Sequence, residues 1–428
     1  MLRLSSIRLL IAILAATPLL AAGFRAGVAK VDITPQTSQW LMGYGPRKST
    51  GVHDPIYHRA VVMDDGRSRF YLVASDLCLF SPELYDDVAA DLKQKFGIER
   101  KQFWWSVTHT HSAPEVGPHG VYDVLLKGRS DHEWDREYAQ HIKSTLIAAV
   151  EQAIAKLEPA RLQTGTGTSN ANINRRAKDV DGKISLGLNP DGPVDRQIGL
   201  IRIERPDGSP IALIANYAIH GTVLSGRSEV ISGDAPGIVS AYVEQRLGAP
   251  VLFVNGAAGN AAPIYSVYPD SKAGHLGEFR VLLGDRILQA NARMPAGSDD
   301  VSIRAEETFV ETPLKPGLQW PETLRSYARG DSNGETFVHL PIRFLTIKGA
   351  ALWAAPVELF SEIAMDIRNK SPYTNTFYFG YTNGWFGYLP TATAFAEGGY
   401  EPATSVLTDS AEADLTKHVV ENFKRLQR

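Results

Sequence analysis

Ile211-Ala212-Leu213-Ile214-Ala215-Asn216-Tyr217-Ala218-Ile219 is an almost unbroken apolar run that stops at His220-Gly221. It is short and does not alternate, so it reads as a strand covered on both faces. Working outward, residues 70–74, 103–107, 251–254 and 344–355 read as further strands, and a short strand opens the chain at 26–35. Between them, residues 81–96, 138–157, 237–247 and 359–367 carry helical patterns. Ser81 is placed to cap the first helix, with Glu83 in its first turn. A last helix, 411–426, closes the chain. Apolar strands separated by helices predict an α/β fold: mixed, largely parallel β-sheets covered by helices in a single large catalytic domain. No internal repeat is visible. Residues 265–340 hold Pro313, Pro316 and Pro321 and a polar stretch at 329–334, which reads as a lid or a substrate-facing insertion.

With 428 residues and 44% hydrophobic content, the chain can bury a large core. Net charge is −3 with no basic stripe, which argues against nucleic acid as a partner. Arg3 and Arg8 precede an apolar run at 9–20 and the small residues Ala21, Ala22 and Gly23. That order predicts a signal peptide over 1–23 and an exported protein, periplasmic or secreted, with its catalytic domain at 24–428. Cys78 is the single cysteine, so no internal disulfide forms, and its apolar surroundings predict a buried, inert thiol.

The chemistry gathers in few places. Residues 103–107 lead into Thr108-His109-Thr110-His111. Side chains two apart on an extended chain point the same way, so both imidazoles can face one cavity. One can bind a metal and the other move protons; alone, the pair reads equally well as two loop histidines. His220 ends a buried strand, where α/β sheets collect ligands, but a hydrogen-bonded core histidine fits too. Glu358 sits where a strand gives way to a helix, whose N-terminus would stabilise it. Two histidines and a carboxylate with an open position suit catalytic zinc. Neither a His-Glu-x-x-His motif nor a Gly-x-Ser-x-Gly elbow is present.

Taken together, these blocks resemble the catalytic domain of the neutral/alkaline non-lysosomal ceramidases. The resemblance runs through residues 27–35, Met42-Gly43-Tyr44, Gly51-Val52-His53, Thr108 to Ser112, Ile173-Asn174-Arg175, Ala218 to Thr222, Gly233-Asp234, Gly387 to Thr391 and Tyr400-Glu401. It implies one zinc ion (Zn2+) held by His109, His220, Glu358 and Tyr388. It implies proton transfer by His111 and substrate or transition-state contacts from Arg175 and Tyr400. The expected reaction is hydrolysis of an amide bond in an N-acyl, ceramide-like lipid or similar small molecule. A lipid substrate also allows transient contact with a membrane surface, and no obligate protein partner is evident.

The chain departs from the family pattern at Asn-x-Gly-Asp-x-Ser-Pro-Asn. Here Asn260 stands for the aspartate and Ala262 for the serine, which leaves the substrate open. A C-terminal immunoglobulin-like domain is not expected. Two alternatives remain: a related zinc hydrolase of an ester, lactone or non-lipid amide, and a non-catalytic periplasmic binding protein on the same scaffold.

Overall fold

The computed structural model describes residues 23–264, 275–332 and 334–428. The expected signal peptide, except Gly23, lies outside them. The architecture repeats one unit three times. In the first, strands Arg25–Asp32, Tyr57–Asp64 and Arg69–Ser75 run antiparallel, helix Pro82–Phe96 crosses over, and Phe103–Val107 returns parallel to Arg69–Ser75. The second repeats this with Arg161–Thr168, Gln197–Glu204 and Pro210–Tyr217, helix Asp234–Leu247, and Val251–Asn255. The third uses Ile303–Pro313, Thr336–Ile347 and Ala350–Ala354, helix Ser361–Lys370, and Asn375–Phe379. A further helix follows each unit: Arg136–Ala155, Asp285–Arg293 and Ala411–Gln427.

The sheets are therefore mixed and mostly antiparallel, not largely parallel. Each four-strand unit has one parallel pair, the pair joined through a helix. The apolar runs misled because burial on both faces has another cause here. The inner faces of the three sheets share one core, with Phe70, Leu72 and Trp104 meeting Ile201, Ile214 and Leu252, and Leu345, Leu352 and Phe377. The outer faces are covered by helices: Val88 and Leu146 on the first sheet, Val239 and Ile287 on the second, Ile363 and Phe423 on the third. A strand between two apolar layers loses its alternation whatever its direction.

Ser81 caps Pro82–Phe96 by accepting from the Glu83 amide, as its sequence predicts. Residues 344–355 are not one strand but a hairpin turning at Lys348 and Gly349, with φ 44° and 75°. Left-handed values at both turn positions match the strand twist. The stretch read as a lid supplies helix Asp285–Arg293 and the long hairpin of the third sheet. Residues 265–274 of that stretch lie outside the described residues.

Candidate metal centre

Each unit delivers one metal-type donor just beyond a parallel strand, and the neighbouring parallel strand delivers the group that aims it. After Phe103–Val107 the chain turns sharply: His109 takes φ 62°, rare for a residue with a Cβ. Its Nδ1–H donates to the Cys78 carbonyl at 2.9 Å, beyond strand Arg69–Ser75. After Pro210–Tyr217, His220 donates Nδ1–H to the Ala261 carbonyl at 3.0 Å, beyond Val251–Asn255. After Ala350–Ala354, Glu358 pairs in register with Tyr388 in a short parallel ladder. Its Oε1 accepts from Trp385 Nε1 at 2.9 Å and its Oε2 from the Tyr381 hydroxyl at 3.3 Å, both beyond Asn375–Phe379. Glu358 thus precedes helix Ser361–Lys370 by a short strand, and side-chain donors stabilise it rather than the helix N-terminus assumed from sequence.

With both Nδ1 atoms tied to carbonyls, both Nε2 lone pairs face inward. Nε2 of His109 lies 3.3 Å, and Nε2 of His220 3.2 Å, from Glu358 Oε2. The three donor atoms fall within 4.8 Å of one another, and all three side chains are buried. His111 Nε2 reaches His109 Nε2 at 3.1 Å, and its buried Nδ1 has no partner. The two imidazoles converge through the left-handed kink at His109, not through the strand alternation assumed from sequence.

Arg175 borders this set. It donates to His220 Nε2 at 2.9 Å, to the Tyr388 hydroxyl at 3.0 Å and to Glu401 at 2.9 Å. The Tyr400 ring stands 5.7 Å from that of Tyr388. The structure therefore brings His109, His111, His220, Glu358, Tyr388 and Arg175 into one cluster, with Tyr400 beside it.

The charges of the cluster centre on the His109–Glu358 pair. Burial opposes charge on His109, but the Glu358 carboxylate and Cys78 outweigh it and push the imidazole up to about 10. Burial likewise opposes charge on Glu358, but His109 holds it well below the usual carboxylate range. Burial and then Arg175 push His220 down to about 3, and burial with its neighbouring imidazoles holds His111 well below its ordinary value.

Tyr381 and Asn255 were not singled out as site residues from sequence, and Gly221 and Asn260, named there only within the family blocks, have structural roles of their own. Tyr381 stacks on His109 at 4.1 Å besides reaching Glu358. Asn255 accepts from the Ile219 amide at 3.0 Å and donates to the Thr108 and Ile219 carbonyls at 3.1 and 2.6 Å. It thereby joins the residues just before both histidines. Gly221 bridges to Thr110, and a Cβ there would meet Thr110 Cα at 2.6 Å. Asn260 donates to Glu362 at 2.7 Å and accepts from the Ser361 amide at 3.0 Å, while its carbonyl accepts from the Arg175 amide at 2.9 Å. The residue replacing the family aspartate thus anchors the Arg175 strand to a helix.

Fold and site define an α/β protein built on three main sheets, with a buried, preorganised cluster of two imidazoles and a carboxylate. The profile of the neutral/alkaline non-lysosomal ceramidase N-terminal family matches residues 24–259, more than half of the chain, and the chain belongs to that family. It is 28% identical over 266 residues to a neutral ceramidase of Pseudomonas aeruginosa, covering 58% of this chain and 38% of that protein. It is 31% identical over 234 residues to neutral ceramidase A of Dictyostelium discoideum, covering 51% and 31%. The matched stretch spans less than half the length of these relatives. A crystal structure of neutral ceramidase from Pseudomonas aeruginosa shares the fold, with TM-score 0.76 at 20% identity, covering 94% of this chain and 74% of that one.

Proposed function

We propose that this chain is an exported zinc-dependent hydrolase that cleaves the amide bond of an N-acyl lipid or a similar small molecule. The observation that carries the reading is the inward convergence of His109 Nε2, His220 Nε2 and the Glu358 carboxylate, each held from behind by a hydrogen bond. Two imidazoles and a carboxylate are the ligand types of open catalytic zinc sites, and carbonyl-tied Nδ1 atoms are their usual support. The residues present therefore fit zinc, with Tyr388 the fourth candidate ligand. Bound zinc supplies acidification of water to near neutral pH and polarisation of a carbonyl.

The protein's own residues do the rest. Arg175, pinned by Glu401, presents guanidinium N–H groups beside His220 and Tyr388. Donors fixed in advance stabilise the negative charge that builds on the carbonyl oxygen during attack. Tyr400 stands next to Tyr388 and can add a hydroxyl. His111, whose Nε2 faces the cluster 3.1 Å from His109 Nε2, is placed to take the proton of the attacking water and return it to the leaving amine. Burial of the cluster keeps bulk water from these groups.

Export rests on residues 1–23 as a signal peptide, with 24–428 as the catalytic domain. Among the described residues no helix is long and apolar enough to cross a membrane. The test is hydrolysis of a panel holding a fluorogenic ceramide, short N-acyl amides, esters and lactones. Amide cleavage that disappears in His109→Ala and Glu358→Ala, with the fold retained, supports the reading. Zinc-loaded protein that turns over no panel member would support the binding-protein alternative instead.

A further inference from the structure

We propose that the substrate carries an anionic group recognised by Arg129, so that an N-acyl amino acid fits this site better than a neutral ceramide. The inference rests on the amide-hydrolase reading above.

Four arginines surround the centre, in two classes. Arg175 and Arg176 share Glu401, at 2.9 and 2.8 Å, and Arg176 also pairs with Glu397 at 3.4 Å, so both are matched by carboxylates. Arg47 and Arg129 form no ion pair with a carboxylate among the described residues. Arg47 is 8% exposed; it donates Nε–H to the Ser228 carbonyl at 2.9 Å and an Nη2–H to the His111 carbonyl. Its Cζ lies 4.8 Å from the Tyr44 ring, which meets the His111 ring edge-on at 4.8 Å. Its buried Nη1 has no partner. Arg129 is half-buried, donates to the Tyr400 hydroxyl at 3.4 Å and sits 5.9 Å from that ring. Through Tyr400 it is one side chain from Tyr388.

Two guanidiniums thus flank the cluster, one behind His111 and one beside Tyr400, without matching carboxylates. At Arg47 a shielded charge without a counter-charge is unfavourable, and an anion bound nearby relieves it. Arg47 is too enclosed to meet substrate and contributes positive potential. Arg129 reaches solvent, and its planar fork suits two parallel bonds to a carboxylate. Zinc adds two further positive charges, against which Glu358 sets one. The serine of the family pattern is Ala262 here, so that position offers no hydroxyl to a ceramide.

The test compares an N-acylglycine with the N-acylethanolamine of the same chain length, which differ by a carboxylate in place of a hydroxymethyl. Wild-type zinc-loaded protein should favour the glycine conjugate in kcat/KM by roughly tenfold or more, the worth of a charge-assisted hydrogen bond. Arg129→Gln should bring that ratio close to one through KM, Arg129→Lys should keep part of it, and added salt should lower it. Equal or better cleavage of the ethanolamide, or a ratio unmoved by Arg129→Gln, overturns the proposal. If neither amide is cleaved, the amide-hydrolase reading fails separately. Calorimetric binding of an N-alkylglycine and the matched N-alkylethanolamine then decides this one: tighter binding of the carboxylate, lost in Arg129→Gln, supports it, and equal affinity overturns it.

Discussion

Replacing Trp385 by Phe should weaken zinc binding without unfolding the protein. Glu358 is a fully enclosed carboxylate, and Trp385 Nε1–H is the closest donor to its Oε1, at 2.9 Å. The opposite oxygen keeps its contacts to Tyr381, His109 and His220 at 3.2–3.3 Å. A hydrogen bond to a charged group is worth about 1.5–3 kcal/mol. Phe fills most of the space but offers no donor, so the carboxylate loses that support and its orientation. At about 1.4 kcal/mol per decade, zinc affinity should fall roughly tenfold to a hundredfold, the range measured when groups that orient metal ligands are removed. Competition with a chromophoric chelator reads the dissociation constant directly, and circular dichroism of the metal-free protein checks the fold. Tyr381→Phe, which removes a longer bond and keeps the ring on His109, should cost less. Trp385→Phe protein that binds zinc within about twofold of wild type would refute the claim that this donor aims Glu358 at a metal.

Gly221→Ala forces a methyl to 2.6 Å from Thr110 Cα and 2.7 Å from the His109 carbonyl, so melting temperature and turnover should both drop; an unchanged melting curve would mean the two histidine loops are not tied there. Asn255→Leu leaves the Thr108 and Ile219 backbone groups without partners and should cost about 3 kcal/mol in urea unfolding. His58 is buried between Ser75 and the Ile142 carbonyl, and burial pushes it down to about 3 from 6.5. Above pH 6.5 neither state is protonated there. Below it the unfolded chain takes up a proton that the folded one refuses, so stability should fall by about 1.4 kcal/mol per pH unit down to about pH 3. Unfolding midpoints of wild type and His58→Gln between pH 7.5 and 5 should diverge in slope by one proton; parallel slopes would contradict it.

Much of the site was legible because its donors sit beside recognisable strand ends. Residues 103–107 and 211–219 announce themselves as strands, and His109 and His220 follow them directly. What remained hidden was relational. Strand direction was lost because three sheets face one another and are capped by helices, which removes the alternation that marks antiparallel sheets. The threefold repeat was masked by unequal insertions, above all the hairpin Asn172–Lys178 and Ile184–Asn189 that brings Arg175 into the second unit. The Cys78 and Ala261 carbonyls that set both histidine tautomers leave no trace in side-chain identity. Nothing in the sequence marks Tyr381 and Trp385; only their hydrogen bonds to Glu358 distinguish them from other buried aromatics.

The central claim is that zinc held by His109, His220 and Glu358 enables amide hydrolysis. The most direct measurement follows turnover of an N-acyl amide as metal is removed with a chelator and zinc is returned stepwise. Activity should vanish on removal and recover fully at about one equivalent of zinc per chain. Metal-free protein that keeps full activity would contradict the account.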